Sequence, residues 1–385
     1  MRDLYTVVMS RLRRPPIPLN EPQRRVLMQL RIEGTASRTR LAQVLGMNGA
    51  TMTRLTQSLL ALGLIEEGES AEAVQRGRPM VPLTISGQGG WAIGATPHPG
   101  WLELALVDFR GRPLVHDATP FDSPDPRVFA HAVAARLQAL AAAHGFMRGK
   151  FLGMGVAVPG YALHGQRDRR AVVDRVAGWD DVPLADIIGD VLGMPIWIEN
   201  DASVAALAEF YQDGIIERYR SVLTLFLGHG IGGGLIAERD LFLGEHGNGG
   251  EVGRLFPGDG ERPSGIDLLR TLRTAGVAID SLADVGGLLD SHRAIIDRWC
   301  DRVIEQLEQA VLSGIVWLDP GAIIVSGALP LPLLDRIAAG LETLNRRRDG
   351  KYRAPLPPVR ASTIGSTAVV IGAAMIPIHA VTAAA

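Results

Sequence analysis

A glycine-rich stretch raises the first question of chemistry. The sequence LGHGIGGGLIAERD, residues 227–240, sets a cluster of glycines between two apolar runs. Glycine accepts positive φ and lets backbone amides approach a ligand closely, so such a loop can cradle phosphates with its N–H groups. A lone glycine cluster is equally compatible with a structural turn. The stretch alone therefore leaves phosphoryl chemistry and scaffold packing both open.

A second group of residues has the chemistry of DNA recognition. The stretch SRTRLAQVLGMNGATMTRLTQSLLALGLIEEG predicts two short helices, with Ser37 and Asn48 as N-caps and a turn at Gly46. In a helix-turn-helix, the second helix lies in the major groove and its first residues reach the base edges. A small helical protein–protein domain is the alternative. The candidate DNA-contacting residues are Arg38, Asn48, Gly49, Thr51, Thr53 and Arg54.

The segment after these helices predicts a two-stranded wing, with strands near 63–67 and 80–85. Between the strands lies RGRP, which supplies Arg76, Gly77 and Arg78. A narrow minor groove has a strong negative potential and attracts inserted arginines. We therefore predict that the wing contacts DNA, either by insertion into the minor groove or through the phosphates alone.

The charge distribution supports a polyanionic partner for the N-terminal region. Residues 1–60 contain ten arginines and three acidic residues, a net charge of +7, whereas the whole chain carries −2. The other 325 residues therefore sum to −9. A basic segment on an acidic body is the electrostatic pattern of a nucleic-acid-binding protein, although a solvated charged face would look the same.

Length and composition exclude several classes of protein. The 385 residues predict two or three domains, and 47% hydrophobic with 21% charged residues is ordinary for a globular protein. The only cysteine is Cys300, so an internal disulfide and a four-cysteine zinc site are impossible. No transmembrane helix or signal peptide is expected, which predicts a cytoplasmic location without a membrane partner.

The pattern after residue 88 predicts strands that alternate with helices, hence α/β layers. Three strands are expected in WAIGATPHPGWLELALVDFRGRPLVHD, then a helix over 126–146 and a buried strand in FLGMGVAVPG. The stretch MPIWIENDASVAALAEF predicts a strand that delivers Asn200 and Asp201 to the start of a helix. A helix near 331–345 and a small-residue helix close the chain.

Four motifs together resemble the ROK family of repressors, open reading frames and kinases. They are GVAVPG, IENDASVAALAE, LGHGIGGGLI and GEHGNGGEVG, which occur in the family's order and spacing. The N-terminal region with its RGRP wing is similar to the repressor branch. The resemblance implies a winged helix-turn-helix (α+β) followed by a two-lobed α/β domain of the actin-like, hexokinase-like (ribonuclease H-like) fold, with sugar bound between the lobes.

The expected boundaries follow from this resemblance. Residues 1–86 would form the DNA-binding domain, and residues 87–385 would form the sugar-kinase-like domain. Lobe 1 would comprise about 87–200 with 366–385, and lobe 2 about 201–365.

The resemblance also implies a set of sugar-binding residues. Asp201 matches the catalytic base of the family's kinases and Asn200 a sugar-hydroxyl ligand, although either residue could be a simple N-cap. Glu251 matches the ligand of the GExG motif, and a carboxylate suits a vicinal diol. Asp267 is a further acidic candidate. Arg254 would bind a phosphate or carboxylate, or pair with Glu251 or Asp267.

The same resemblance predicts that kinase chemistry is lost. The family's kinases have a DxGGT type of turn, where this chain has ATPHPGW, with Thr96 at the aspartate position and Gly100 at the threonine position. Pro97 and Pro99 also remove two backbone donors. Mg-ATP is therefore not expected. Zinc is not expected either, because Arg254 occupies the position of a zinc-binding histidine and the stretch LFPGDGERPSGIDLLRTL after it contains no cysteine.

These features favour a sugar- or sugar-phosphate-responsive transcriptional regulator, most simply a repressor of carbohydrate-metabolism genes. It would bind a near-palindromic double-stranded operator as a dimer or tetramer. The glycine stretch would then be a structural hairpin that lets the two lobes approach each other around a sugar. The alternatives are an active sugar kinase fused to a DNA-binding domain and a regulator controlled by a protein partner.

Overall fold

A computed structural model describes residues 17–68, 81–98, 100–144, 150–172, 174–256, 261–348 and 356–383. The chain divides into two compact units. Unit 1 comprises Met1–Gly160, Asp168–Glu199 and Ala373–Ala385, and unit 2 comprises Tyr161–Arg167 and Asn200–Gly372. This division differs from the expected lobes in two places, since residues 161–167 belong to unit 2 and the last crossing follows Gly372 instead of residue 365.

The first part of unit 1 is an N-terminal module of three helices and a small antiparallel sheet. Its elements are α1 (Glu21–Glu33), β1 (Thr35–Ala36), α2 (Arg38–Leu45), α3 (Gly49–Ala61), β2 (Ile65–Glu67) and β3 (Leu83–Ile85), with sheet order β1-β3-β2. The predicted caps are confirmed, because Ser37 and Asn48 accept hydrogen bonds from the first turns of α2 and α3. Gly46 adopts φ +66° at the end of α2.

The module's hydrophobic core forms where the apolar faces of its helices meet. Its fully buried members include Val26, Leu27, Leu30, Leu41, Met52 and Leu59. Leu60 and Leu62 near the end of α3 are only half-buried, whereas Thr56 is fully buried. The predicted wing residues Arg76, Gly77 and Arg78 lie outside the described residues.

The rest of unit 1 is a five-stranded mixed sheet with helices. Its elements are β4 (Gly90–His98), β5 (Trp101–Asp108), β6 (Pro113–Pro120), α4 (Pro126–His144), β7 (Lys150–Ala157), α5 (Leu184–Leu192) and β10 (Ile196–Glu199). The sheet order is β10-β7-β4-β5-β6, in which β10, β7 and β4 are parallel. Phe129 and Trp179 are fully buried and meet edge to face, with ring centroids 5.0 Å apart.

Unit 2 contains a second five-stranded sheet between helices. Its strands are β11 (Val222–Leu227), β12 (Ile231–Ala237), β13 (Asp240–Leu241), β14 (Ala322–Gly327) and β15 (Val359–Ala361), in the order β13-β12-β11-β14-β15. Its helices are α6 (Asp201–Phe210), α7 (Ile215–Arg218), α8 (Gly265–Thr274), α9 (Arg293–Leu318) and α10 (Leu331–Arg348). The core packs Leu268, Trp299, Leu307 and Ile337 against the sheet residue Leu225.

Two elements belong partly to each unit. The ribbon of β8 (Tyr161–Leu163) and β9 (Gln166–Ala171) contains the first crossing points of the chain, and α11 (Ala368–Thr382) contains the last. The stretch Gly365–Thr382 is long and apolar enough to cross a membrane by length and composition. However, 78% of that window is buried in the structure, which is the environment of a core helix.

Arginines attach the N-terminal module to the rest of unit 1 through main-chain carbonyl groups. Arg31 of α1 donates to the carbonyl oxygen of Phe109 at 2.7 Å, and its guanidinium carbon lies 5.0 Å from the centroid of the Phe109 ring. Arg110 donates in the other direction, to the carbonyl oxygen of Ile85 in β3 at 2.6 Å. Charge-assisted hydrogen bonds of this kind are stronger than neutral ones. The module is therefore an integral part of unit 1.

Candidate ligand site and DNA-facing surface

The first turn of α6 positions two of the predicted sugar ligands. Asn200 is the N-cap, and its Oδ1 accepts hydrogen bonds from the amides of Ala202 at 2.8 Å and Ser203 at 3.3 Å. Asp201 Oδ1 also accepts from the Ala202 amide, at 2.9 Å. Both side chains are half-buried. These bonds fix the orientation of both side chains.

The glycine-rich stretch forms a strand that packs closely on both faces. A Cβ on Gly232 would lie 2.8 Å from the Cβ of Ala202, and one on Gly234 would lie 2.5 Å from the Ala202 carbonyl oxygen. A Cβ on Gly233 would lie 2.7 Å from the carbonyl oxygen of Gly250. The glycines therefore bring α6 and the GExG loop close to β12. This close approach lies within unit 2, unlike the predicted approach of the two lobes.

The GExG loop is held by a side-chain amide. Asn248 pairs with the main chain of Ala162 in β8, since its Oδ1 accepts from the Ala162 amide at 2.8 Å and its Nδ2 donates to the Ala162 carbonyl at 3.0 Å. Gly250 has φ +90°, where a side chain would be strained. Glu251 follows and is the N-cap of the 3₁₀ turn Val252–Leu255. The loop thereby presents a half-buried carboxylate at a defined place.

Arg254 lies against an aromatic ring. Its guanidinium carbon is 4.7 Å from the centroid of the Tyr161 ring, which is a cation–π arrangement. In the part of the chain that the structure describes, no ion pair joins Arg254 to Glu251 or Asp267, which was one of the two predicted alternatives. Arg254 is exposed, so it combines a fixed ring contact with a solvent-accessible charge.

Asp267 requires a correction. Its side chain is buried, and Oδ2 accepts a hydrogen bond from Trp299 Nε1 at 2.9 Å. Arg302 also contacts Oδ2, and Arg270 contacts Oδ1. A buried carboxylate needs such partners, and three donors already satisfy this one. We therefore remove Asp267 from the candidate sugar ligands and interpret it as the centre of a structural network that joins α8 to α9.

The first amides of α8 are hydrogen-bonded to the turn that follows β11 and are therefore not available to a phosphate. The amide of Gly265 donates to the carbonyl of Gly228 at 2.8 Å, and the amide of Ile266 donates to the carbonyl of His229 at 3.2 Å. Ser264 caps the same helix by accepting from the Asp267 amide. The first amides of α8, which could otherwise bind an anion, are therefore bonded to the turn and the cap.

The β4–β5 hairpin differs from the expected turn. Thr96 and Pro97 lie within β4, opposite Glu103 and Leu102, and Thr96 is buried. The match to the family's DxGGT motif predicts that Thr96 lies in the turn. The strand β4 continues beyond that point to His98, which the residue types alone do not indicate. The chain reverses only near Gly100.

A buried carboxylate on this hairpin is paired with two imidazoles. Glu103 contacts His98 Nε2 at 2.8 Å and His116 Nε2 at 2.6 Å. Burial by itself would raise the pKa of Glu103, but the hydrogen bonds from the two histidines outweigh it and hold that pKa below its ordinary value. Glu103 pairs with Thr96 across the hairpin, and both of its carboxylate oxygens are engaged by histidines.

The start of α3 forms an exposed polar surface on the N-terminal module. Asn48, Gly49, Thr53 and Arg54 are exposed, and Thr51 is half-buried. Part of this polarity serves the helix itself, since Asn48 Oδ1 accepts from the Thr51 amide at 2.8 Å and Thr53 Oγ1 donates to the Gly49 carbonyl at 2.9 Å. Arg54 forms no ion pair or hydrogen bond with any residue that the structure describes.

Arg38 lies at the start of α2 and is engaged inside the module. It donates to Thr56 Oγ1 at 3.1 Å and forms an ion pair with Glu67 at 2.7 Å. These contacts join α2 to α3 and to β2. Arg38 therefore helps to fix the position of α3 within the module.

Comparisons with known proteins identify the family of this chain. The sequence profile of the ROK family matches residues 103–265, a range that includes Asn200, Asp201, Glu251 and the glycine-rich strand. The protein y4fQ of Sinorhizobium fredii is 32% identical over 364 residues, which is 94% of this chain and 91% of that protein. The chain belongs to the ROK family.

Named ROK relatives include regulators and kinases. A putative xylose repressor of Caldicellulosiruptor sp. is 26% identical over 57% of this chain, and the match spans 55% of that repressor. The crystal structure of a ROK family transcriptional regulator, homologous to the Mlc protein of E. coli, matches with a TM-score of 0.69 at 18% identity over 94% of this chain and 97% of that one. The crystal structure of the ROK hexokinase of Thermus thermophilus matches with a TM-score of 0.57 at 24% identity. The match covers 74% of this chain and 97% of that one.

These structural matches establish the actin-like, hexokinase-like ROK fold for the body of the chain. They do not by themselves decide between regulator and kinase, because both classes have this fold. Among the described residues, no group of three or more His, Cys, Asp or Glu side chains is placed to hold a metal ion. Hydrogen bonds hold the segment that precedes α8, such as the one from Arg262 to the Gly253 carbonyl at 2.8 Å.

Sequence reasoning missed two residues of this ROK site, Asn248 and Tyr161. Asn248 lies inside the motif GEHGNGGEVG, where a polar side chain among glycines is the one available signal. Its partner is Ala162, which is 86 positions earlier in the sequence. Tyr161 carries no signal at all before the fold brings it to Arg254.

Proposed function

We propose that this ROK protein is a sugar- or sugar-phosphate-responsive transcriptional regulator, specifically a repressor of carbohydrate-metabolism genes, which works in the cytoplasm as a homo-oligomer on double-stranded DNA. The observation that carries the proposal is the exposed first turn of α3, with its exposed Arg54, on a basic module built into the same unit as the ROK sheet. The repressors among the named relatives support the same function.

In this proposal α3 lies in the major groove. Asn48, Gly49, Thr51, Thr53 and Arg54 then face the base edges, because the N-terminal residues of a recognition helix are the ones that reach them. Arginine is suited to guanine, whose O6 and N7 accept its two parallel N–H groups. Arg38 supports the helix from within the module, and Arg76, Gly77 and Arg78 of the wing are proposed to contact the adjacent minor groove or phosphates.

The proposed sugar ligands are Asn200, Asp201, Glu251 and Arg254. The two carboxylates accept hydrogen bonds from sugar hydroxyls, and the amide of Asn200 can both donate and accept. The exposed guanidinium of Arg254 suits a phosphate group on the sugar. Three of these residues lie on or next to elements that the glycines of β12 bring together, namely α6 and the GExG loop.

We also propose that this protein has no effective kinase activity and needs no zinc. Phosphoryl transfer requires Mg²⁺ ligands and a phosphate cradle as well as a base. Thr96 is no substitute for a metal-binding carboxylate, and Glu103 nearby is paired with His98 and His116. The first amides of α8 are bonded to Gly228 and its neighbour. Asp201 then binds a hydroxyl without taking its proton.

The helix α11 offers a route from sugar to DNA. At its unit 2 end, Gly372 packs directly on the backbone of α6, where a Cβ would overlap the Val204 carbonyl oxygen. At its unit 1 end, Arg24 of α1 donates to the carbonyls of Ala380 at 3.3 Å and Ala383 at 3.2 Å. One helix therefore contacts both the helix that begins with Asp201 and the DNA-binding module. A sugar that binds one arrangement of α6 more tightly therefore shifts the populations of α6 and of the DNA-binding module together.

The test of DNA binding is fluorescence anisotropy at low salt, with labelled duplexes that tile the region upstream of the protein's own gene. We expect one near-palindromic duplex to bind more tightly than a shuffled duplex by at least 10³-fold, the lower range for specific recognition. Equal affinity for every duplex, or no binding, would contradict the proposal.

The test of the sugar site is a thermal-shift screen with D-xylose, D-glucose and D-glucose 6-phosphate. A ligand present at 100 times its Kd stabilises the native state by about 2.7 kcal/mol. Asp201→Asn and Glu251→Gln should abolish the shift, and Asp190→Asn, which changes an exposed aspartate of α5, should retain it. A shift that survives in both site variants would place the ligand elsewhere.

The second candidate function is an active sugar kinase fused to a DNA-binding module. The position of Asp201 at the start of α6 and the kinases among the structural matches favour it. A coupled ATP-consumption assay with D-xylose and D-glucose decides between the two functions. Turnover that Asp201→Asn abolishes would overturn our proposal, whereas absence of turnover in a preparation that binds sugar supports it.

A further inference from the structure

The exposed face of α3 extends beyond the first turn of the helix. Its four side chains of differing chemistry are Ala50, Thr53, Arg54 and Gln57, all of them exposed. With 3.6 residues per turn, these four positions lie within about 100° of one another around the helix axis. Met52, Leu55 and Leu59 are buried on the side that packs into the module. Ala50 and Gln57 are not among the DNA-contacting residues proposed above.

The polar groups of Gln57 and Arg54 are available to an external partner. Both side chains are exposed, and neither forms a hydrogen bond or an ion pair with any residue that the structure describes. Gln23, in contrast, is used inside the module, where its Nε2 donates to Ser58 Oγ at 2.9 Å. A glutamine amide has an acceptor oxygen beside two donor hydrogens, so Gln57 can donate to and accept from the same partner.

Adenine and guanine present matching groups in the major groove. Adenine has an acceptor at N7 beside a donor at N6, which a glutamine amide can meet with two hydrogen bonds. Guanine has two acceptors, N7 and O6, which arginine can meet with two parallel N–H groups. Positions 54 and 57 are about 4.5 Å apart along the helix axis, and successive bases of a DNA strand are about 3.4 Å apart. The two side chains therefore suit bases that are one or two steps apart.

The other two side chains of this face offer methyl groups. Thr53 Oγ1 donates its only proton to the Gly49 carbonyl at 2.9 Å, so that proton is not available to a base. The methyl groups of Thr53 and Ala50 suit the C5 methyl of thymine. The helix α3 contains no acidic residue, which is the type that would accept a hydrogen bond from N4 of cytosine. The face thus has groups for adenine, guanine and thymine.

We propose that Gln57 recognises an adenine and Arg54 a guanine one or two base pairs away, with Ala50 and Thr53 against the methyl group of a neighbouring thymine. Each half-site of the operator then contains an A·T pair and a G·C pair at that separation. This inference rests on the proposed function, because it takes α3 as the helix in the major groove. It adds the base sequence that this helix recognises, with Gln57 as a specificity-determining residue.

The first test is the selection of bound duplexes from a random-sequence library by the full chain without sugar. The wild type should enrich half-sites with the two base pairs at the stated separation. Gln57→Ala and Gln57→Met, which lack the amide, should lose about 5- to 150-fold discrimination at the A·T pair, as for one bidentate contact, and keep the G·C pair. Gln43→Ala, which removes an exposed amide from α2, should keep both pairs. Circular dichroism melting shows that each variant is folded.

The second test changes a single atom of the DNA. A 7-deazaadenine in place of the recognised adenine preserves the base pair but replaces the N7 acceptor with a C–H group. It should weaken binding of the wild type about 2- to 12-fold, as the loss of one hydrogen bond does. The same change should leave the affinity of Gln57→Ala unaltered. Anisotropy with the enriched duplex measures both affinities.

Two results would overturn the inference. One is a preference for the A·T pair that persists in both Gln57 variants, and the other is a 7-deazaadenine effect of equal size in the wild type and in Gln57→Ala. Either result leaves the proposed regulator intact, because a defined operator is still bound. A library from which the wild type enriches no sequence contradicts the regulator and this inference together.

Discussion

Two residues that we propose for recognition, Asn200 and Asn48, also cap helices. Asn200 caps α6 and Asn48 caps α3, and each uses its Oδ1 for the amides of its own helix. Capping fixes the rotamer, so the remaining polar atoms are presented in a defined direction. A ligand that meets them does not have to order the side chain again.

Arg54 is the residue whose replacement tests base recognition most cleanly. Arg54→Ala should weaken binding to the operator by about 1–3 kcal/mol and relax its sequence preference, as the loss of a bidentate base contact does. The measurement is anisotropy with the operator and the shuffled duplex. Arg40→Ala is the matched control, since Arg40 is an exposed arginine of α2 that is paired with Glu33. Equal losses in the two variants would show that Arg54 contributes only charge.

Glu209 of α6 makes stability depend on pH. Its side chain is buried against Ser326, which donates to it at 2.6 Å, and burial raises the pKa of Glu209 above its ordinary value of 4.5. The native state therefore holds the proton more tightly than the unfolded state. The stabilisation is fully present below about pH 4.5 and is lost as the pH rises through the raised native pKa.

The expected result follows from this sign. Glu209→Gln, which resembles the protonated acid, should raise the free energy of unfolding at pH 7 by on the order of 1–3 kcal/mol, the cost of a poorly satisfied buried group. The gain should shrink towards pH 4.5. Urea unfolding at several pH values measures it, with the exposed Glu217→Gln as control. A gain that does not vary with pH would contradict burial of an ionised Glu209.

Residue roles were predictable from sequence only where a local pattern defines them. Ser37, Gly46 and Asn48 were identified because caps obey spacing rules within four residues. Asp267 was misassigned because the partners that satisfy it, Trp299 and Arg302, are more than 30 positions away. Local composition cannot show that a carboxylate is already paired inside the fold.

At the scale of elements, β12 explains why its sequence is so rich in glycine. The strand pairs with β11, and its two faces meet α6 and the GExG loop at distances that exclude a side chain. The glycines are therefore a packing device within unit 2. They place Asp201 and Glu251 on elements that share one strand, which is how distant motifs become one candidate site.

A pair of glycines in this stretch tests the packing role directly. A Cβ at Gly234 would collide with Ala206 and with the Ala202 carbonyl, whereas at Gly230 nothing lies within 4 Å and φ is not positive. Gly234→Ala should lower the free energy of unfolding by about 1–3 kcal/mol, and Gly230→Ala by less than about 0.5 kcal/mol. Urea unfolding measures both. Equal effects would show that β12 is not closely packed.

Sequence patterns predicted most elements but not all of their ends. The helix expected over 126–146 is described over Pro126–His144, and the helix expected near 331–345 extends to Arg348. The end of β4 was missed, because Thr96 and Pro97 look like turn residues and yet pair with β5. Strand pairing is a long-range contact that can override local turn preference.

At the scale of the whole molecule, the sequence predicts a DNA-binding domain and two separate lobes, whereas the contacts divide the chain into two units. Arg31 and Arg110 join the N-terminal module to the segment that follows β5, and Arg24 joins it to the end of α11. The acceptors of all three arginines are main-chain carbonyls. Carbonyl acceptors leave no trace in the sequence, since every residue has one.

The central claim, that sugar binding controls DNA binding, is tested most directly by operator affinity with and without sugar. Anisotropy titrations of the labelled operator should show that the sugar found in the thermal-shift screen changes the Kd by about 5–150-fold, the usual range of allosteric coupling. Asp201→Asn should bind the operator normally and show no change with sugar. An operator Kd that is the same with and without saturating sugar in the wild type would contradict the account.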